Sequence, residues 1–513
     1  MFSTILSGGV FGMQSYPVQV EVDMSKGLPC FTMVGNLGGE VKESAERVRT
    51  ALKNIGMYLP PMHITVNLSP ADMRKEGTGY DLPIAVALLV SMGAIDREAI
   101  EKVLFLGELG LNGEVKPVKG VLPIIRKAKE EKIKRCIISL GNVKEAGTIQ
   151  GMDVIGVASL QQMIAFLQKK ETIEAVTISV EEMLAKEKQN NNGDFEEVAG
   201  QEGVKRAAVL AAAGFHNLLI TGPPGAGKTM IAKRIPGILP PLSVEECLEV
   251  SSIYSVAGLL KEGKGLITQR PYLHPHHTVS AQALTGGGKV PRPGIISLSH
   301  RGVLFLDELP EFKRQTLDAL RQPIEDRKVQ IARSSGSFEY PADFMLVAAM
   351  NPCPCGYYPD KNKCRCTPFE RHRYLSHISG PILDRIDICI QASKIDISQL
   401  QSRQRGMSSA KMKSMVMAAR ERQKYRFRYS KIRFNADMSV SDLKDYCILG
   451  TKEEKMLEQM FRSMDLSGRA YHRLLKTART IADIEECEQI NEYHLSEAVC
   501  FFGGMKGGVF NEK

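Results

Sequence analysis

The chain has 513 residues, 43% of them hydrophobic and 24% charged, with 11 cysteines and no tryptophan. That length favours about three domains, and the composition excludes disorder over most of the chain, which would need fewer apolar residues and more net charge. The net charge of +9 is unevenly placed: eleven basic residues and one acid, Glu421, fall between Gln401 and Arg433, so the remainder is close to neutral.

From the N-terminus, no charged side chain precedes Glu21, so there is no basic region of the kind that opens a secretory signal. Without export, the cysteines point to a reducing cytoplasm rather than a disulfide scaffold. The longest apolar run, Leu82 to Ile95, is too short to span a bilayer and predicts a buried helix, so no membrane association is expected. Residues 1–170 mix β-rich runs (Val18–Val22, Ile64–Leu68) with helical stretches such as Leu82–Val90, an α/β or α+β pattern. Residues 171–195 carry a charged helical piece and then Gln189–Asp194, a polar cluster that reads as a linker. Over 196–395 strongly apolar runs alternate with helices, predicting an α/β unit with a parallel sheet buried on both faces. Residues 396–513 turn helical almost throughout.

The sharpest motif is Gly222-Pro223-Pro224-Gly225-Ala226-Gly227-Lys228-Thr229, a full match to G-x-x-x-x-G-K-[ST] between a strand-like NLLIT and a helix-like KTMIAKRI. Glycines let backbone N–H groups wrap phosphates, and the helix N-terminus adds positive potential. Lys228 would contact the β- and γ-phosphates of ATP, and the Thr229 hydroxyl would bind Mg²⁺. An ordinary Gly/Pro turn is the bland alternative.

Three histidines, His274, His276 and His277, stand among four residues ahead of a triple glycine, Gly286–Gly288. With no acid or thiol nearby in sequence, they read as a structural or nucleic-acid-facing loop rather than a metal site. Val303–Leu306 then runs into Asp307 and Glu308, the form of a buried strand delivering two carboxylates at its end. Asp307 would hold Mg²⁺ through water, and Glu308 would orient and deprotonate the attacking water. Lys328–Arg333 and Phe338–Tyr340 around Ser334–Ser337 predict a hairpin, with Lys328 and Arg333 as candidate contacts to DNA phosphates or as plain structural residues. A further apolar strand, Phe344–Met350, ends at Asn351, whose amide could reach the γ-phosphate or the lytic water, or simply form a turn.

Cys353, Cys355, Cys364 and Cys366 form C-x-C and C-x-C pairs eight residues apart. They could present four thiolates to one tetrahedral Zn²⁺, or be free thiols, with His372 and His377 near enough to replace one. Finally, Arg422, Lys424, Arg426 and Arg428 interleave with Tyr425, Phe427 and Tyr429. That pattern combines phosphate neutralisation with base stacking, or describes a solvated helix whose aromatics pack inward.

These segments, read with PHHTVSAQAL, RPGIISLSHRGVLFLDELPEF, YPADFMLVAAMNPCPCG, ISGPILDRIDI and LSGRAYHRLLKTARTIADI, closely resemble the ComM/YifB proteins, the magnesium-chelatase-like AAA+ ATPases of bacteria. The resemblance covers essentially the whole length. It implies a homo-oligomeric, hexameric ring with active sites between subunits. Asn351 then corresponds to the sensor-1 residue, Arg385 to the arginine finger reaching a neighbour's γ-phosphate, and Arg469 to the sensor-2 arginine of a helical lid. Residues 1–170 resemble the proteolytic domain of Lon-type proteases, but Gly79 stands at the serine position and Leu122 at the lysine position. A serine nucleophile activated by a lysine base cannot run on Gly and Leu, so no protease activity is expected. The resemblance implies an ATP-driven motor for branch migration or helicase-type remodelling of single-stranded or branched DNA. The alternative is a chelatase-type ATPase that remodels a protein partner.

Overall fold

The computed structural model describes residues 1–186, 193–260, 263, 265–288, 290–333, 336–394, 406–464 and 466–506. The N-terminal body opens on a long hairpin, β1 (Phe2–Phe11) and β2 (Gln14–Ser25). β3 (Cys30–Val34), β4 (His63–Ser69), β5 (Val103–Leu106), β6 (Arg135–Ser139) and β7 (Asp153–Val157) complete a seven-stranded sheet in the order β3-β4-β2-β1-β5-β6-β7. β1, β2 and β4 pair antiparallel, and the remaining pairings are parallel. In β2 the buried residues are Val18, Val20, Val22 and Met24. That period of two lays one face on the core.

Two helices show how this body treats charge. α1 (Ser44–Asn54) packs on α2 (Asp81–Ser91). α2 is buried at every position, as its unbroken apolar run predicts. Its first residue, Asp81, is an acid with no exposed surface, and Arg47 of α1 forks onto it at 2.7 and 3.0 Å. Burial raises the Asp81 carboxyl from its ordinary range, against the pull of Arg47. α3 (Val121–Glu130) covers the opposite side of the sheet near β1 and β2.

In the second body, α4 (Glu202–Gly214) leads into β8 (Leu218–Thr221), α5 (Lys228–Ile238) and α6 (Val244–Ala257). β9 (Tyr272–Leu273), β10 (Val303–Leu306), the hairpin β11 (Lys328–Arg333) and β12 (Gly336–Pro341), β13 (Met345–Met350) and β14 (Ile388–Gln391) follow. Five of these strands form a sheet in the order β9-β10-β13-β8-β14, every pairing parallel. β8, β10 and β13 are buried at all positions, as expected of strands covered on both faces. Because all five run the same way, their C-terminal ends share one edge and their N-terminal ends the other. At about 3.3 Å per residue, the four residues of β8 hold those edges roughly 13 Å apart.

One helix, α7 (Pro368–Leu375), precedes β14, and past that strand the described chain is helical: α8 (Ser409–Arg426), α9 (Thr451–Ser463), α10 (Gly468–Ile484) and α11 (Glu492–Lys506). No strand follows β14 among the described residues. One apolar cluster joins Ala207 and Ala211 of α4 to Val416 of α8 and to Leu474 and Ala478 of α10, so these helices and the parallel sheet share a core. Residues 187–192 of the expected linker lie outside the described residues. Its end is fixed, since Asp194 accepts the Ser409 N–H at 2.8 Å and Phe195 is buried.

The two α/β bodies also share apolar packing, with Leu122, Ile125 and Val143 clustered with Leu242, Cys247 and Leu266. At that seam the buried Glu145 accepts hydrogen bonds from Ser255 Oγ at 2.9 Å and Asn142 Nδ2 at 2.6 Å. A second contact joins hairpin to hairpin: the Phe11 ring at the tip of β1 lies 4.4 Å from Phe338 of β12.

Candidate nucleotide site

The phosphate loop begins where β8 ends. Gly222, Gly225 and Gly227 all have positive φ, which turns successive N–H groups inward and which residues with a Cβ resist. At Gly222 space is a second reason, since a Cβ there would stand 2.7 Å from the Ala392 carbonyl oxygen. Pro223 and Pro224 stiffen the turn, Ala226 is buried beneath it, and Lys228 is the first residue of α5.

The Lys228 ammonium donates to the carbonyls of Gly222 (2.7 Å) and Pro223 (3.0 Å) and to Asn351 Oδ1 (3.0 Å). Burial lowers its pKa from the ordinary value, opposed by the charges of Asp307 and Glu308. The Thr229 hydroxyl donates to Asp307 Oδ2 at 2.6 Å. Residues from three adjacent strand ends, β8, β10 and β13, therefore converge at one edge. The inward-turned loop, the lysine, and the hydroxyl beside a carboxylate make a donor set that fits a nucleotide triphosphate with its divalent cation. Bound there, Mg²⁺–ATP would supply a polarised γ-phosphoryl group.

Glu308 sits one residue further on in left-handed backbone, φ 51. A non-glycine residue in that region costs about 1–2 kcal/mol. Its side chain is more than half exposed, and its Oε2 lies 3.4 Å from His277 Nδ1. The histidine loop thus faces the carboxylate, with the His276 and His277 rings 4.1 Å apart and tilted by 34°. Sequence reasoning missed this pairing because 31 residues separate the partners. It also missed Gln201, whose buried amide donates to the carbonyls of Ala226 (3.2 Å) and Ser393 (2.6 Å) and so ties the loop to the residue after Ala392.

Arg385 and Arg469 belong to the opposite edge. Asn217, just before β8, donates from Nδ2 to the Arg385 carbonyl at 2.9 Å, and its N–H donates to Asp387 Oδ2 at 2.9 Å. The Arg385 guanidinium donates to the Pro381 carbonyl at 2.6 Å and pairs with Glu325. Arg469 lies 3.7 Å from the other oxygen of Glu325 and is 61% exposed. Arg473 of α10 hydrogen-bonds the carbonyls of Leu383 and Ile386, bolting the arginine segment to the helical region. A cleft of about 360 Å³ opens here, lined by Glu325, Arg327, Arg385, Arg469 and Lys476 among others. Neither arginine reaches the phosphate loop of its own chain, and Glu325, which pairs with both, left no mark in the sequence.

The four cysteines do converge. Cys353 Sγ is 3.4 Å from Cys355 Sγ and 3.8 Å from Cys364 Sγ, and Cys355 is 3.6 Å from Cys364. All four sulfurs lie within 4.8 Å of one another, a group able to hold a metal ion. His377 is committed elsewhere, donating from Nδ1 to the Pro310 carbonyl at 3.0 Å.

The expected nucleic-acid residues are reordered. The hairpin forms with Arg333 opposite Gly336, its turn at 334–335 lying outside the described residues. Val329, Ile331, Phe338 and Tyr340 are its buried face. Lys328 pairs with Glu339 across the strands at 2.9 Å, which leaves Arg333 as the cation at the tip. The basic segment is not one free patch. Arg426 is tied to the fully buried Asp483, Arg422 reaches Glu486 at 3.2 Å, and Lys424 pairs with Glu421 at 2.6 Å. Arg420, stacked on Phe434 at 3.7 Å, is buried, and burial lowers it to about 10. Arg428 alone of the four named cations makes no ion pair among the described residues; it lies over Tyr425 at 4.1 Å and Tyr429 at 4.9 Å. Both rings are largely exposed. For Arg426 and Arg422 the partners are 57 and 64 residues downstream, Asp483 in α10 and Glu486 just past its end.

In the N-terminal body, Leu122 is fully buried and Gly79 abuts Val118 and Leu106. Lys75, buried nearby in sequence, donates to the carbonyls of Pro70 and Met73.

Comparison with known proteins agrees with this layout. A family profile described as magnesium chelatase, subunit ChlI, matches residues 194–400, one for subunit ChlI of Mg-chelatase matches 20–142, and one for the subunit ChlI C-terminal matches 406–501. The chain is 44% identical to the YifB protein of Salmonella typhimurium over 96% of its own length and 95% of the relative's. It is 41% identical to competence protein ComM of Haemophilus influenzae over 96% of each chain. Lon protease 2 of Bacillus subtilis is 32% identical over 24% of this chain and 22% of its own. The chain belongs to the ComM/YifB family of magnesium-chelatase-like AAA+ ATPases, with a Lon-protease-like N-terminal domain, an AAA+ core and a C-terminal helical lid.

Proposed function

We propose that this AAA+ ATPase is a ring-forming DNA motor, moving branched or single-stranded DNA by ATP hydrolysis in branch migration or helicase-type remodelling. Lys228 grips the β- and γ-phosphates over the Gly222–Gly227 loop, and Thr229 and Asp307 hold Mg²⁺. Glu308 positions and deprotonates the lytic water, and Asn351 senses the γ-phosphate. The observation that carries the reading is the separation of edges: Arg385 and Arg469 share Glu325 across the sheet from the phosphate loop of their own chain. That separation supports a site completed by a neighbour's guanidinium, the logic of a closed ring, a hexamer by family resemblance.

DNA as the partner is supported by the competence name of a relative, by the exposed Tyr425–Arg428–Tyr429 stack and by Arg333 at the hairpin tip. Stacking a base on such a ring contributes about 1–3 kcal/mol without sequence preference. In this reading residues 1–170 form a domain without peptidase activity, 171–195 a linker, 196–395 the motor core and 396–513 the lid. Zinc occupies the four-thiol loop, and the protein works in the cytoplasm, where those thiols stay reduced.

The test is ATP turnover with and without single-stranded DNA at two salt concentrations. Stimulation that fades with salt is the expected result, because phosphate contacts release counterions. Turnover indifferent to DNA at every salt would overturn it and favour the second reading, a chelatase-type ATPase remodelling a protein, which the chelatase-subunit profiles support.

A further inference from the structure

The four-thiol loop touches the nucleotide site directly. Cys353 follows Asn351 by two residues, and Asn351 accepts the Lys228 ammonium at 3.0 Å. Gly356, its N–H bonded to the Cys353 carbonyl at 2.9 Å, sits in left-handed backbone with φ 83. A Cβ built there would stand 2.7 Å from Pro224 Cδ of the phosphate loop and 3.6 Å from Asn351 Cγ. The loop is thus wedged between the proline of one strand end and the amide of the next. Past Pro359 the chain is polar: Asp360, Lys361, Asn362 and Lys363 offer it no apolar core of its own.

The sulfur geometry suits one ion. Four sulfurs each about 2.3 Å from a tetrahedral zinc stand about 3.8 Å from one another; those of Cys353, Cys355 and Cys364 are 3.4, 3.6 and 3.8 Å apart, and with Cys366 all four lie within 4.8 Å. Bonded sulfurs would be at about 2.05 Å. Cys353 is fully buried while its three partners are half-buried, so one ligand is anchored in the core beside Asn351.

We propose that a thiophilic divalent cation of the zinc class, bound by Cys353, Cys355, Cys364 and Cys366, controls the ATPase. It holds Gly356 against Pro224 and so fixes Asn351 on Lys228. The inference rests on the ATPase reading above and adds regulation of that site. Metal occupancy sets turnover more than nucleotide affinity, because Lys228 and the glycine loop keep their grip without it. Displacement of a catalytic group by about 1 Å is enough to cost about a hundredfold in rate. Gly356 and Asn351 border both the thiol loop and the phosphate loop, so a nucleotide bound over Lys228 should also change the surroundings of the metal.

The experiment uses the full chain purified without chelator. Expected are about one zinc per chain, a fall in kcat of about tenfold or more on chelation, and recovery with Zn²⁺ but not Mg²⁺. Cobalt substitution gives a readout independent of hydrolysis: the absorption of a tetrahedral cobalt–thiolate site should shift when a non-hydrolysable ATP analogue binds. Gly356→Ala separates coupling from folding; it should keep the metal and lose turnover, whereas Cys364→Ser should lose both. Well under one zinc per chain, or full turnover after its removal, or a cobalt spectrum blind to nucleotide, would overturn the proposal. Metal-replete protein that binds the analogue with a spectral shift yet never hydrolyses ATP would instead sink the motor reading and leave the coupling standing.

Discussion

Both α/β bodies enclose charged groups, Asp343 between Arg301 and Arg327 in the AAA+ core and Asp81 against Arg47 in the N-terminal body, and they differ in what the core holds at its edges. In the N-terminal body the buried charges are enclosed by partners: Asp81 by Arg47, Lys75 by carbonyls, and Glu145, at the seam, by Asn142 and by Ser255 of the second body. In the AAA+ core the groups of the candidate site stand instead at the two open edges of the sheet. Glu308 is more than half exposed and held in left-handed backbone, and across the sheet Arg385 and Arg469 share one acid. A group enclosed by its partners stabilises the fold. A group held at an edge with capacity to spare, as Arg469 is, can engage something outside its own chain. Chemistry is therefore expected in one body and architecture in the other.

Arg385→Ala tests the open edge most severely. Loss of an arginine finger costs about 10³-fold or more in turnover, and mixing this variant with Lys228→Ala subunits should restore part of it. Mixed rings as inactive as either parent would break the assignment of the arginine edge to a neighbour. Glu308→Gln is next, with an expected fall of about 10²–10⁴-fold in a single-turnover assay and fluorescent-nucleotide binding intact. Undiminished hydrolysis would move the base elsewhere, with His277, 3.4 Å away, the first place to look.

Asp81→Ala sharpens the comparison from the closed side. Removing the acid takes away the fully buried partner of Arg47 but leaves it Glu43, Ser44 and the Glu40 carbonyl. The cost should therefore fall below the figure of about 3–5 kcal/mol for a buried charge left alone, read as a lowered midpoint in urea. The folded fraction should bind nucleotide as before. A midpoint within error of the parent would mean that the Arg47–Asp81 pair contributes nothing net.

Much of this was legible in the sequence because it is local. The phosphate loop, the acidic strand end and Asn351 each announce themselves within eight residues, and burial on both faces makes β8, β10 and β13 continuous apolar runs. The four cysteines were readable from spacing alone, and their sulfurs meet. What misled was non-local pairing. Composition cannot tell a free arginine from Arg426, whose partner Asp483 is 57 residues away, and it makes Lys328 look available until Glu339 arrives across the hairpin. Glu325 and Gln201 were invisible for a like reason, since each acts through groups that only the fold brings near.

Gly79→Ser is the mildest challenge, aimed at the closed body's lost chemistry. A Cβ at position 79 would meet nothing nearer than Val118 Cγ2 at 3.7 Å, an ordinary contact, so stability should change by no more than about 0.5 kcal/mol. The serine would still have no base. Leu122, at the lysine position, is fully enclosed in the apolar packing that joins the two bodies, and Lys75 is committed to two carbonyls. A hydroxyl without a partner to take its proton is a weak nucleophile, so a peptide substrate should survive incubation with the variant and ATP. Placing lysine at 122 as well would bury an ammonium inside that apolar cluster, and its desolvation would act against folding. The closed body thus cannot regain the dyad by one substitution at each position. Cleavage by the single variant would mean that a base stands within reach of position 79 after all.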